Sequence, residues 1–443
     1  MSEAVVSFID LSRVARQERE ALMTRTESDL SDFVAKVRPI IEQVRTEGDQ
    51  ALARFAREFD QAPVEADALK CTEDDFDRAF VGFDPKVLEA IEFAAGNIRV
   101  FHERQMPESM RMTEVRPGVF AGERYVPIPS AACYVPRGKG SFPSVLLMTV
   151  VPAVVAKTPK IIILTPPGPD GRVDAATLVA ARLAGATEVF KCGGAQAVAA
   201  AAYGTATIPR VDKIVGPGSP WVAAAKRLLT GVIDPGPPAG PSESIVLADE
   251  TADGRLAALD LIIESEHGPD SSAFLVTCSP QVAEAARRAI PEYWALLGET
   301  RRSFSQAVLG GAKGGVVLAP SMDEAIAFVN DYAPEHLMIH SREPFRHLGR
   351  IVNAGEVLLG ENTPISLGNY VLGPNAVLPT SGAARTYSPL SVFDFLKMIS
   401  FGYVTSSAYP ELARHTHALA VYEGFDGHAL AVSDLREKIR PGC

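Results

Sequence analysis

The sequence predicts an α/β protein built from two Rossmann-like, doubly wound halves, with small helical segments at its N- and C-terminal ends. Two observations carry this. From about residue 130, short apolar runs alternate with Ala-rich stretches at helical spacing, which is the pattern of βαβ units. A Pro/Gly-rich segment, IDPGPPAGPSE (residues 233–243), then separates this series from a second one of similar size.

Taken in order, the first 110 or so residues place apolar side chains among charges at helical spacing, as in LSDFVAKVRPIIEQVRTEGDQALARFAREFD. They read as a helical, surface-rich region. KIIILT is β-branched and bounded by proline and glycine, so it reads as a buried parallel strand. DAATLVAARLAGA reads as a helix, TEVFKCGG as a strand and AQAVAAAAYG as a helix; KIVGPGS and WVAAAKRLLTG repeat the unit. The second series runs SIVLADE, GRLAALDLIIESE, SAFLVTCS, PQVAEAARRAI, GGVVLAPS, MDEAIAFVNDY, LMIHS and EVLLG. After Pro379 the pattern turns to short helices and an irregular tail. Two such series place a ligand in the crevice between them.

Composition narrows the function. The 443 residues are 47% hydrophobic and 22% charged, ordinary for a globular chain. A net charge of −11, with no Lys/Arg cluster to offset it, argues against nucleic acid and anionic membrane as partners. The longest apolar run, FPSVLLMTVVPAVVA, is broken by Thr149 and Pro152 and is too short to span a bilayer. The charged N-terminus lacks a secretory h-region, which predicts a cytoplasmic protein. Cys71, Cys133, Cys192, Cys278 and Cys443 show no paired spacing and read as reduced thiols, with Cys443 exposed.

The chemistry-bearing candidates are few. In ESEHGPDSS, Glu264 and His267 stand three apart and share one helix face. Such a pair can bind one metal ion or act as an acid/base pair. In YAPEHL, Glu335 lies beside His336. In a loop the two can serve two proton transfers; at a helix end they merely complement the dipole. GGAQA and GPGS put small residues between a strand and a helix N-terminus, where backbone N–H groups either receive a pyrophosphate or simply pack. His428, in FDGHALAV, reads as structural when taken alone. His102, His340, His347, His415 and His417 stand in charged contexts and read as surface residues. Spacing does not gather His267, His336, His428, Glu264 and Glu335 into one metal site, because they lie far apart in sequence.

Eight ordered motifs do more. YVPRGKGSFPSVLLM, GGAQAVAA, VDKIVGPGSPWV, PAGPSES, SEHGPDS, YAPEHL, GNYVLGPNAVLPTSGAARTYSPLSVFDFLK and EGFDGHALAV together resemble the histidinol dehydrogenases, from about residue 25 to the end. The resemblance implies an NAD- and zinc-dependent enzyme that oxidises a primary alcohol to the aldehyde and then the aldehyde hydrate to the carboxylate. It gives His336 the alcohol proton and has Glu335 activate the hydrating water. It places Tyr134, Gln196 and Ser219 on the cofactor side, Ser242 and Glu423 in the substrate pocket, and His267 and His428 on zinc. It also implies a homodimer in which the C-terminal tail crosses to the partner subunit. The implied domains are a helical segment 1–25, a substrate and zinc domain of residues 26–134 and 243–384, an NAD-side domain 135–242, and an exchanged helical tail 385–443.

The departures from that pattern matter as much. Glu264 stands where the family has Gln, and Asn369 where it has Asp. Both are zinc-ligand positions, so the formal charge is kept and the site is rearranged. Ala376 replaces a His and Ile365 a Glu, both substrate-pocket positions. Ser219 replaces an Asn. Arg137 replaces a Gly, either adding a cation near an anionic group or standing as a surface arginine. These changes predict a polar primary alcohol other than L-histidinol. The alternatives are an L-histidinol dehydrogenase with altered pocket residues, and a catalytically silent homologue that binds metal or nucleotide. Retention of Glu335, His336, His267 and His428 speaks against the silent homologue.

Overall fold

Val, Ile and Leu runs become the strands of two parallel sheets. The computed structural model describes residues 5–25, 30–137 and 140–439. In chain order the strands begin with β1 (Phe8–Asp10), β2 (Met110–Arg116), β3 (Val119–Pro127) and β4 (Ser130–Tyr134). Next come β5 (Lys160–Thr165), β6 (Val189–Lys191), β7 (Lys213–Val215), β8 (Glu243–Ala248) and β9 (Ser272–Thr277). The last are β10 (Gly314–Leu318), β11 (His336–His340), β12 (Glu356–Leu359) and β13 (Leu396–Val404).

One compact unit spans Met1–Met106 and Ile128–Phe395 and holds both parallel sheets, ordered β6-β5-β4-β7 and β1-β10-β9-β8-β11-β12. Against the four-stranded sheet, helices Ser31–Glu47 and Asp49–Phe59 pack Val37, Ile41, Leu52 and Phe55 onto the Ala-rich helix Gly194–Tyr203. Alanine on that helix lets backbones approach closely, so large side chains from its neighbours fill the remaining volume. The six-stranded sheet is buried on both faces. Val246, Leu275 and Met338 meet Leu261 and Ala286 on one side, while Ile245, Phe274 and Leu337 meet Phe328 and Val329 on the other. Runs that are continuously apolar suit such two-sided burial.

The second unit, Pro107–Pro127 with Leu396–Cys443, contains the antiparallel sheet β13-β3-β2 and helices Tyr409–Tyr422, Asp426–Ala431 and Asp434–Ile439. Its hairpin turns at Gly118, whose φ of 74° lies in the left-handed region.

Several expectations change. The N-terminal segment, read as helical, begins with β1, which pairs in parallel with β10 before helix Arg16–Leu22. β2, β3 and β13 were not legible, because β2 is exposed along its whole length and shows no alternation. β4 pairs with β5 and β7, so residues 130–134 belong to the four-stranded sheet rather than ending the preceding region. The histidines differ most. His340 is fully buried with its Nε2 2.9 Å from Asp260, and His347 lies 3.2 Å from Asp249. His102 is buried beside Gln105, and burial pushes its imidazole down from its usual range. Neighbouring charge made these three look solvated, but the fold turns a polar partner inward to at least one ring nitrogen of each. His415 and His417 are exposed. Cys71, Cys133 and Cys192 are buried free thiols and Cys278 is half-buried; Cys443 lies outside the described residues. No helix among the described residues is long and apolar enough to cross a membrane.

Candidate active site

In the four-stranded sheet the chain moves outward from β4 to β6 and then returns to place β7 on the other side of β4. That reversal opens a crevice at the carboxyl ends of β4 and β7. Tyr134 ends β4 and the GPGS loop follows β7. The six-stranded sheet turns its amino ends to the same space: Ser242 precedes β8, and Glu335 and His336 open β11. The two sets of residues line one cavity of about 520 Å³.

On the first sheet's side, backbone approach dictates the glycines. A Cβ on Gly216 (φ 111°) would sit 2.2 Å from the Tyr134 carbonyl oxygen. The Gly194 N–H donates to the Tyr134 hydroxyl oxygen at 3.1 Å, and burial pushes that phenol up. Ser219 lines the cavity as the N-cap of helix Pro220–Leu229; Pro220 carries no N–H, and the Val222 and Ala223 N–H groups donate to the Ser219 carbonyl. Gln196 is buried against Gly194 and is not among the lining residues. Arg137 and Asp60 line this end; burial pushes Asp60 up to about 6 against the opposing pull of Arg137.

The second sheet's side gathers donors. Helix Gly254–Ser265 carries Glu264 in its last turn, and His267 follows at the break. Glu264 is 1% exposed; its Oε2 lies 3.3 Å from His267 Nδ1, and its Oε1 accepts from Asn369 Nδ2 at 2.9 Å. Burial works against this carboxylate. The imidazoles of His267 and His336, with hydrogen bonds from Asn369 and Ser242, outweigh it and hold Glu264 below its usual range. His267 Nδ1 also lies 3.0 Å from the Ile263 carbonyl, which fixes the ring and leaves Nε2 as the ring nitrogen that could bind a metal. An ionised buried carboxylate, an oriented imidazole and the Asn369 amide oxygen are donors that zinc accepts. Among the described residues no group of three His, Cys, Asp or Glu is gathered for a metal. Ala376 lines the cavity as well, whereas Ile365 is wholly buried in the core with Ile262 and Leu358. Glu423 and His428 are exposed residues of the second unit.

The second sheet's side also carries Glu335 and His336. Helix Met322–Tyr332 ends on Ala333 in the left-handed region, and Pro334 launches β11, so the pair opens a strand and does not end a helix. Glu335 Oε2 accepts from the Glu243 N–H at 2.9 Å. Burial, reinforced by the Glu264 charge, pushes Glu335 up to about 8 even though His336 pulls the other way. His336 is buried too, which disfavours its cation, but Glu335, Glu264 and Glu356 pull its imidazole up from its usual range. A carboxyl poised near neutrality beside an imidazole suits sequential proton transfers.

The histidinol dehydrogenase family model matches residues 23–436. The chain belongs to the histidinol dehydrogenase family. It is 62% identical to a histidinol dehydrogenase homolog of Rhizobium meliloti (strain 1021), over 98% of this chain and 95% of that one. It is 48% identical to a histidinol dehydrogenase of Synechocystis sp., over 96% and 98%. The crystal structure of histidinol dehydrogenase from Elizabethkingia anophelis superposes with a TM-score of 0.92 at 32% identity, covering 98% of each chain. The family is NAD- and zinc-dependent, oxidises CH–OH groups and forms homodimers.

NAD dependence gives one buried residue, unnoticed in the sequence, a testable role. Lys226 Nζ donates to the Gly216 carbonyl at 2.8 Å and ties the GPGS loop to its helix. Burial lowers this amine from 10.5 to about 8. The folded state therefore binds its proton less tightly than the unfolded chain, and stability from this group rises with pH between about 8 and 10.5. Lys226→Met is expected to remove that rise in thermal unfolding. It should also raise the KM for NAD by about tenfold with kcat little changed, since a hydrogen bond from a charged group is worth roughly 1.5–3 kcal/mol.

Proposed function

We propose that this protein is an NAD- and zinc-dependent dehydrogenase that oxidises a polar primary alcohol other than L-histidinol, through the aldehyde to the carboxylate. The observation that carries this reading is one cavity lined by Tyr134 and Ser219 of the four-stranded-sheet half and by Glu335, His336, Glu264, His267 and Asn369 of the other half. When bound, NAD would take up the two electrons of each oxidation, and zinc held by Glu264, His267 and Asn369 would supply Lewis acidity at the alcohol oxygen. His336 Nε2 accepts the alcohol proton, and Glu335 accepts a proton from the water that hydrates the aldehyde. Asn369 is the weak donor of the set, and His428 of the partner subunit completes it. Glu423 of the partner subunit closes the substrate pocket. The exchanged tail is supported by apolar surface on the second unit, where Tyr422 is 91% exposed, Leu419 63% and Ile439 69%. Residues 135–242 form most of the cofactor-side half and 243–384 most of the zinc-side half, each Rossmann-like.

The substrate reading is supported by the apolar wall of Ala376, Val377 and Leu378 in the cavity. A screen of primary alcohols and diols with NAD and zinc, read as NADH formation, tests it. Turnover of another alcohol far above L-histidinol is the expected result. NADH from L-histidinol alone would favour the alternative, an L-histidinol dehydrogenase, and none from any alcohol would favour the silent homologue. Glu264→Gln is expected to weaken zinc retention by about 10²-fold or more, because loss of even an outer-shell partner costs roughly 10–100-fold. Metal analysis after dialysis checks this; full zinc content with unchanged activity would remove Glu264 from the ligand set.

A further inference from the structure

We propose that Glu356 is the positioning residue for His336, holding Nδ1 protonated and aiming Nε2 at the reacting alcohol. This rests on the reading of His336 as the base. The two residues are direct Cα partners in the parallel register of β11 and β12, so their side chains leave the sheet together. Glu356 Oε1 lies 2.5 Å from His336 Nδ1, with the side chains 7% and 4% exposed. The other carboxylate oxygen, Oε2, is shielded from solvent and has no hydrogen-bond partner among the described residues.

Burying a carboxylate is costly unless it is paired. The rest of β12 is Val357, Leu358 and Leu359, and an apolar residue at 356 would extend that strand without such a cost. Packing confines the carboxylate on one side only. On one side Gly368 covers it so closely that a Cβ there would lie 3.1 Å from Oε1. On another, Glu356 borders a second cavity of about 550 Å³, shared with Phe101, Gln105 and Tyr387. The hydrogen bond to His336 is therefore what fixes the pair. A carboxylate that accepts from one ring nitrogen sets the tautomer and leaves the other nitrogen's lone pair free. Here that nitrogen is Nε2, 3.8 Å from Glu335 Oε1 and on the cavity side. Once His336 has taken up the alcohol proton, the same carboxylate stabilises the imidazolium.

The test uses the full-length, zinc-loaded enzyme. NMR of ¹⁵N-histidine-labelled protein reads the downfield Nδ1 proton of His336, assigned by its loss in His336→Asn. Kinetics use whichever of L-histidinol, glycerol and 1,3-propanediol is oxidised fastest. Glu356→Ala is expected to abolish the downfield resonance and to lower kcat on the order of 10²-fold, with KM within about twofold. Zinc content and melting temperature should stay near wild type, and Glu356→Asp should restore part of kcat. Should the alanine variant fold poorly, isosteric Glu356→Gln carries the same expectation for kcat with a weakened resonance. An unchanged resonance and kcat in Glu356→Ala and Glu356→Gln would overturn the proposal. If the resonance is lost in Glu356→Ala while His336→Asn keeps full activity, the base reading fails and the positioning contact stands.

Discussion

L-Histidinol is expected to be oxidised with a kcat/KM about two orders of magnitude or more below 10⁴ M⁻¹s⁻¹, the lower end for ordinary enzyme–substrate pairs. An amino alcohol bearing an imidazole needs polar partners for its ammonium and its ring. Ala376 offers a methyl group to the cavity, in line with Val377 and Leu378. Ile365 is turned into the core and contributes nothing to that wall. By resemblance to the family, these are the two positions where a histidine and a glutamate would contact substrate. A missing neutral hydrogen bond costs roughly 0.5–1.5 kcal/mol, and one to a charged group about 1.5–3. Two such losses in a site built on polar contacts reduce specificity by several orders of magnitude. Steady-state kinetics with purified enzyme, saturating NAD and added zinc decide the matter. A kcat/KM of about 10⁴ M⁻¹s⁻¹ or above would return the protein to L-histidinol.

What the sequence made legible follows from which forces are local. KIIILT, SAFLVTCS and GGVVLAPS became β5, β9 and β10, because strands buried on both faces must be apolar throughout. The same logic missed β2 and β13, whose exposed, mixed side chains carry no such pattern. Glu264 and His267 were readable as a pair because helix periodicity alone brings them together. Asn369, more than 100 residues away, reached Glu264 only through the fold. Glu356 left no mark at all. Its contact with His336 depends on the register between β11 and β12, and a one-residue slip would send either side chain to the other face. His340 and His347 show the reverse error: each is buried with its Nε2 paired to an acidic residue elsewhere in the chain, where local charge suggested solvent.

The two oxidations should come apart at Glu335 and His336. Glu335→Gln is expected to slow oxidation of supplied aldehyde by about 10²–10⁴-fold while slowing alcohol oxidation far less; His336→Asn should do the opposite. The environments support this division. Glu335 receives one backbone N–H from Glu243, and burial sets its pKa at about 8, where a carboxylate is basic enough to draw a proton from water. His336 is held between carboxylates that favour its protonated form, the state it enters when it accepts the alcohol proton. The pH dependence has a definite sign. Glu335 acts as a base only when ionised, so the aldehyde step should rise as pH increases through about 8, and that limb should vanish in Glu335→Gln. Single-turnover NADH formation, started in parallel from alcohol and from aldehyde, separates the steps. Equal, small losses in both half-reactions for both variants would remove Glu335 and His336 from these roles, since uniform effects are what a change in binding or stability produces.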